Sequence, residues 1–196
     1  MFDNGGEIVA DFRDMLKSLE VKPFEKSLRG PRVYLTRASS LLTDSLWESI
    51  LVDRELRPQI WPWVENKTQI QDYMNEVDSE LPGKEVVYLI GMSDSPVIGA
   101  VHIHSINHGD HKAELGYWIQ KKFEGFGFVS ESLNLVEKEL SRLKFNKMEI
   151  RCNSDNVRSV RLALKNGFRL EGTLVQDCIE DGRYRDTMVF GKLLQK

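Results

Sequence analysis

Residues 114–132 read ELGYWIQKKFEGFGFVSES. The first part has the alternation of a strand and ends near Ile119. Gly125-Phe126-Gly127 breaks that pattern. Val129, Leu133, Val136, Leu140 and Leu143 then recur at spacings of 4, 3, 4 and 3, the signature of an amphipathic helix. The segment is therefore a strand, a glycine loop and a long helix. The first N–H groups of a helix have no internal partner, and its dipole places partial positive charge there. Glycines let a ligand approach the backbone closely, so the junction can hold an anion such as phosphate. Two nucleotide motifs do not apply. No Gly-x4-Gly-Lys-Ser/Thr run exists, and GxGxxG would need a glycine where Ser130 stands.

Outward from this junction the chain alternates element types. Upstream, Val86 to Met92, Val97 to Ile106 and Lys112 to Gln120 read as three strands joined by the turns Ser93-Pro96 and Asn107-Asp110. Such short turns make them antiparallel neighbours. Before them lie a first strand, Arg32 to Thr36, a helix opened by Thr43-Asp44-Ser45, and a second helix. Thr68-x-x-Gln71 is read as that second helix's capping box, and Ile70, Tyr73, Met74, Val77 and Leu81 as its buried face. Downstream, Lys147 to Cys152 is a strand, which the long helix joins to the preceding one as a parallel pair with a right-handed crossover. A helix capped by Asp155 follows and ends at Asn166-Gly167. Two further strands flank an Asp181-Gly182 turn. Ile8, Phe12, Met15, Leu16 and Leu19 give residues 1–28 one amphipathic helix as an N-terminal extension. Residues 29–196 form a single α/β domain with a mixed sheet.

Composition narrows the function. Twenty-seven basic and 30 acidic residues give a net charge of -3, with no basic stripe of the kind nucleic-acid binders carry. No apolar run has membrane-helix length. The N-terminus lacks a secretory signal, and the 2 cysteines, Cys152 and Cys178, form no disulfide framework. A cytoplasmic protein is the expectation. His102, His104, His108 and His111 cluster, with the first two on one strand face. Zinc ligation and a polar sheet face both fit that spacing, and no metal is the expectation.

The chain resembles the GNAT superfamily of acetyl-CoA-dependent N-acetyltransferases, within it the Rim-type ribosomal-protein branch. The resemblance runs from about Arg29 to Lys192. It is carried by Ala113 to Ile119, by Glu124-Gly125-Phe126-Gly127 with Ser130-Glu131, and by Asn153, Asn156 and Ser159. Leu164-x-Asn166-Gly167-Phe168-x-Leu170-Glu171-Gly172, Asp181-Gly182-Arg183-Tyr184-x-Asp186 and Trp61-Pro62 complete it. It implies a mostly antiparallel sheet whose central strand pair splays apart, with helices on both faces. Acetyl-CoA would lie in the splay. Tyr117, Trp118 and Ile119 would line its pantetheine arm. Gly125, Phe126, Gly127, Phe128, Val129 and Ser130 would hold its pyrophosphate, and Asn156 would lie near the thioester. The loop departs from the family pattern Gln/Arg-x-x-Gly-x-Gly/Ala, because Glu124, Phe126 and Val129 stand in it. An acid there costs about 1 kcal/mol if solvent screens it.

Acetyl transfer needs a neutral amine, a donor for the oxyanion and a proton for the leaving thiolate. The resemblance implies Ser159 at the thiol end. It also implies a carboxylate in the strand after Glu171-Gly172, at the position held here by Cys178. Asp177 is the adjacent acid, but neighbouring strand residues point to opposite faces unless a bulge intervenes. Glu114, on the central strand, is the other candidate base. Trp61 and Trp63 could wall an acceptor pocket, and Arg183 and Tyr184 could reach it. The expected acceptor is a protein N-terminal amine or a small amine, and a homodimer is expected. The alternative function is a non-catalytic module that binds acyl-CoA or a partner protein on the same fold.

Overall fold

The computed structural model describes residues 22–52, 64–78, 85–93, 95–180 and 182–194. The expected N-terminal helix and Trp61 to Trp63 lie outside these residues. One sheet carries the molecule. Its strands are β1 (Ser27–Arg29), β2 (Tyr34–Arg37), β3 (Glu85–Met92), β4 (Ser95–Asn107), β5 (Lys112–Ile119), β6 (Lys147–Asn153), β7 (Arg169–Glu180) and β8 (Arg183–Leu193). They lie in the order β1-β2-β3-β4-β5-β6-β8-β7. All neighbours pair antiparallel except β5 and β6, which are parallel, as the strand–helix–strand connection requires.

Four helices among the described residues pack on this sheet: α1 (Thr43–Val52), α2 (Lys67–Val77), α3 (Phe128–Arg142) and α4 (Val157–Lys165). Strand alternation divides the core in two. Val86, Tyr88 and Ile90 of β3 point to the side where Leu133, Val136 and Leu140 of α3 pack. Val87 and Leu89 point the other way, onto Leu46 and Ile50 of α1 and Ile70 and Met74 of α2. Helices on both faces of a mixed sheet are thus what the alternating apolar pattern produces.

Two helix starts differ from the sequence reading. The capping box of α2 is Asn66 with Gln69, not Thr68 with Gln71. The Asn66 side chain accepts from Gln69 N–H at 3.2 Å while Gln69 Oε1 accepts from Asn66 N–H. Helix α4 is capped by Asn156, whose Oδ1 accepts from Ser159 N–H at 3.1 Å. Asp155 is instead held by Arg185 at 2.7 Å. The C-cap at Gly167 is as read, with φ +81°.

The described part of the N-terminal extension joins the domain. Phe24 is buried in the α3-side core, Ser27 and Leu28 belong to β1, and Arg142 at the end of α3 donates to Pro23 O at 2.7 Å. Buried Glu139 accepts from Glu25 N–H at 2.7 Å and is paired with Arg142 at 2.8 Å. A buried charge is tolerable when it is paired and hydrogen-bonded in this way.

Candidate active site

The sheet opens at its centre. β5 and β6 pair only through Lys112 with Lys147, Ala113 with Met148 and Glu114 with Glu149. Beyond that point each strand still pairs on its outer side, β5 to β4 as far as Ile119 and β6 to β8 as far as Asn153. Leu115–Ile119 and Ile150–Asn153 therefore flank a gap, and their inner backbone groups are not paired to each other. An unpaired strand edge is a template for an extended ligand.

Three side chains from different elements meet at this gap. Tyr117 of β5 is packed against the α3-side core, as is Cys152 of β6. Among the described residues the buried Tyr117 hydroxyl has no hydrogen bond of ordinary length. Burial pushes its pKa up to about 12, with Ser159 of α4 opposing the rise and Cys152 adding to it. Desolvation also raises the Cys152 thiol. Ser159 sits in the first turn of α4, its own amide taken by the Asn156 cap. Asn156 thus orients α4 and Ser159. Trp118 turns away, into the core under α1 and α2, and Ile119 packs on the α3 side. Gln120, buried, donates to Ser49 Oγ at 2.8 Å and so ties the end of β5 to α1.

The glycine loop leads from the mouth of the gap into α3. Gly125 and Gly127 have φ +80° and +83°, a region that other residues enter at a cost. Open space surrounds the position a Gly125 side chain would occupy. Gly127 is the N-cap of α3 and brings no side chain to the first-turn amides. The side chains of Phe128 and Val129 are buried in the core, so only their backbone can serve a ligand there. Ser130 Oγ accepts from Asn166 Nδ2 at 3.0 Å, which joins α3 to the end of α4.

Two arginines that the sequence reading did not single out flank this loop. Arg32, just before β2, donates to Glu131 Oε2 at 2.8 Å and to Phe126 O at 3.0 Å, and stands 5.0 Å from the centre of the Phe128 ring. The Arg32 and Val33 amides also donate to Glu131. Burial works against ionisation of Glu131, but these bonds outweigh it and hold the carboxyl below its ordinary range. On the other side, Arg158 of α4 donates through Nη1 to both oxygens of Glu124, at 2.9 and 2.8 Å. A cation in the first turn of a helix is locally unfavourable. Together with an acid in a phosphate loop, that was the available signal.

The candidate bases separate. Glu114 occupies the last paired position before the gap, on the α1/α2 side of the sheet, 3.5 Å from Arg151 Nε and 3.9 Å from His104 Nε2. A bulge does interrupt β7, between Leu174 and Cys178, with Gln176 at φ +53°. It inserts two residues, which preserves parity, so Cys178 rather than Asp177 shares a face with Thr187. Cys178 Sγ lies 3.2 Å from Asn153 Oδ1, and Asn153 also donates to Glu180. Asp177 is exposed, as are Arg183 and Tyr184.

The histidines have other partners. His102 Nδ1 lies 2.8 Å from Glu85 Oε1, to which Tyr73 also donates, and His108 packs on Phe145. Burial opposes ionisation of Glu85, yet the His102 and Tyr73 bonds and the His104 charge hold its pKa down. Among the described residues no group of three or more His, Cys, Asp and Glu side chains is arranged to hold a metal ion.

A parted parallel pair, followed by a helix start without a side-chain cap, suits an extended ligand with an anionic head. Residues 32–169 match the family described as the acetyltransferase (GNAT) domain. The chain belongs to that family and is an N-acetyltransferase, and acetyl-CoA is the acetyl donor its family uses. Over 171 residues it is 26% identical to the ribosomal-protein-serine acetyltransferase of Escherichia coli, covering 78% of this chain and 95% of that one. It is 25% identical over 96 residues to E. coli spermidine N(1)-acetyltransferase, covering 48% of this chain and 52% of that one. Two solved structures share the fold. RimL, a ribosomal L7/L12 alpha-N-protein acetyltransferase in complex with coenzyme A, superimposes with a TM-score of 0.78 at 22% identity over 88% of this chain and 98% of its own. The microcin C7 self-immunity acetyltransferase MccE, bound to acetyl-CoA and AMP, gives 0.77 at 24% identity over 84% and 93%.

Proposed function

We propose that the chain transfers acetyl directly from acetyl-CoA, held between β5 and β6, to the N-terminal amine of a protein, of the ribosomal-protein type. The observation that carries this is the continuity of the unpaired edge Leu115–Ile119 with the first-turn amides of α3. The pantetheine amides pair with that edge, and the diphosphate rests on the amides of Phe128, Val129 and Ser130. The amine nitrogen attacks the thioester carbon and the C–S bond breaks. A β5 backbone N–H steadies the oxyanion. Ser159 gives the leaving sulfur a hydrogen bond, beside the Tyr117 hydroxyl. Glu114 takes the amine proton through a water, a role its place at the neck of the gap suits better than the exposed Asp177 does. Proximity of amine and thioester supplies much of the rate.

The protein acceptor rests on the relative of which this chain covers 95%. The spermidine enzyme matches over about half. A cytoplasmic site of action accords with the free thiols of Cys152 and Cys178. Among the described residues no helix is long and apolar enough to cross a membrane. Edge strand β7 leaves Leu174, Val175 and Ile179 exposed, and we place a homodimer contact along that edge. The test offers acetyl-CoA with peptides beginning in Ser or Ala, and with spermidine, followed by mass spectrometry. Acetylation at the peptide α-amine supports the reading. Acetylation of spermidine alone replaces it with a small-amine transferase.

A further inference from the structure

We infer that Arg158 is a phosphate ligand of the co-substrate, held ready by Glu124, and that this pair sets the affinity for the anionic head of acetyl-CoA. The inference rests on the acetyl-CoA reading above and deepens it.

The loop that must accept a diphosphate opens with an acid, Glu124, where like charges repel. The fold answers with a cation. Arg158 reaches Glu124 from the first turn of α4, across 34 positions of sequence. The two arginines beside the loop are built differently. Arg32 is tied to the Glu131 carboxylate, to the Phe126 carbonyl and to the Phe128 ring, so its guanidinium is a fixed part of the loop. Among the described residues Arg158 spends a single nitrogen, Nη1, on both Glu124 oxygens. Nε and Nη2 remain for a second acceptor, and its side chain is 78% exposed. Exposed ion pairs are worth little, roughly 0–1 kcal/mol. A guanidinium bonds a phosphate through two parallel N–H groups, so a diphosphate settling on α3 can take Arg158 from Glu124 or share it. Glu124 serves the free protein by holding Arg158 at the loop. In the complex it opposes the ligand.

The two residues therefore act with opposite sign on affinity. Affinity is measured by isothermal titration with acetyl-CoA and with S-acetylpantetheine, which lacks every phosphate, on the full chain. Arg158→Ala weakens acetyl-CoA about tenfold or more, the scale of one charge-assisted hydrogen bond, and leaves S-acetylpantetheine unchanged. Glu124→Gln tightens acetyl-CoA and also leaves S-acetylpantetheine unchanged. In the Glu124→Gln background, Arg158→Ala still weakens acetyl-CoA, because the guanidinium bonds the phosphate directly and does not act through Glu124. Three results overturn the assignment. They are unchanged or tighter acetyl-CoA binding by Arg158→Ala, an equal loss for both ligands, and no effect of Arg158→Ala once Glu124 is Gln. Wild-type protein that binds neither ligand would instead overturn the acetyl-CoA reading on which the assignment stands.

Discussion

Tyr117 keeps a buried hydroxyl that makes no hydrogen bond of ordinary length in the free protein. Leaving such a group unsatisfied costs about 1–3 kcal/mol. Tyr117→Phe therefore stabilises the ligand-free chain by about 1 kcal/mol, a rise of about 2–4 °C in melting temperature, while acetyl transfer slows. Loss of both stability and activity would contradict this account of the site. Glu131 works in the opposite sense. Its folded pKa lies below the ordinary value, so its bonds add stability that is present above the ordinary carboxylate pKa and lost as pH falls through the folded value. Glu131→Gln thus melts lower than wild type at neutral pH, and the gap narrows below about pH 5. Thermal scans across pH check this, and a gap that widens in acid would count against it.

At the scale of elements, the loop and the helix it opens form one device. Gly127 has φ +83°, and a methyl group there would meet nothing closer than Arg32 Nη2 at 3.6 Å. The cost of Gly127→Ala is therefore backbone strain, about 1–2 kcal/mol, with the first-turn amides pulled out of place. Weaker acetyl-CoA binding and an unchanged fold are the expected results, read by titration and circular dichroism. The strand–loop–helix junction was legible because period 2 gives way to period 3.6 across two glycines. The parallel pairing of β5 and β6 was legible from the helix between them. Their parting came only from the family resemblance, since no local pattern marks where pairing stops. The cap of α4 was misread because Asp155 and Asn156 both suit the position. Asp155 is claimed by Arg185, 30 residues away, a pairing that no local rule contains. The pairing of Arg158 with Glu124, 34 residues apart, escaped notice for the same reason.

At the scale of the molecule, one sheet separates two cores, and the gap opens within that sheet between β5 and β6. A ligand bound there bridges β5 and β6, which the free protein leaves apart, and joins them to α3. Acetyl-CoA at 100 times its dissociation constant then stabilises the fold by about 2.7 kcal/mol, which raises the melting temperature by about 5–10 °C. The most direct test of the central claim is amide hydrogen exchange with and without acetyl-CoA. The account predicts new protection over residues 115–119 and 125–130, the edge of β5 and the opening of α3. Saturating acetyl-CoA that leaves these amides unchanged, or protects only other segments, would contradict it.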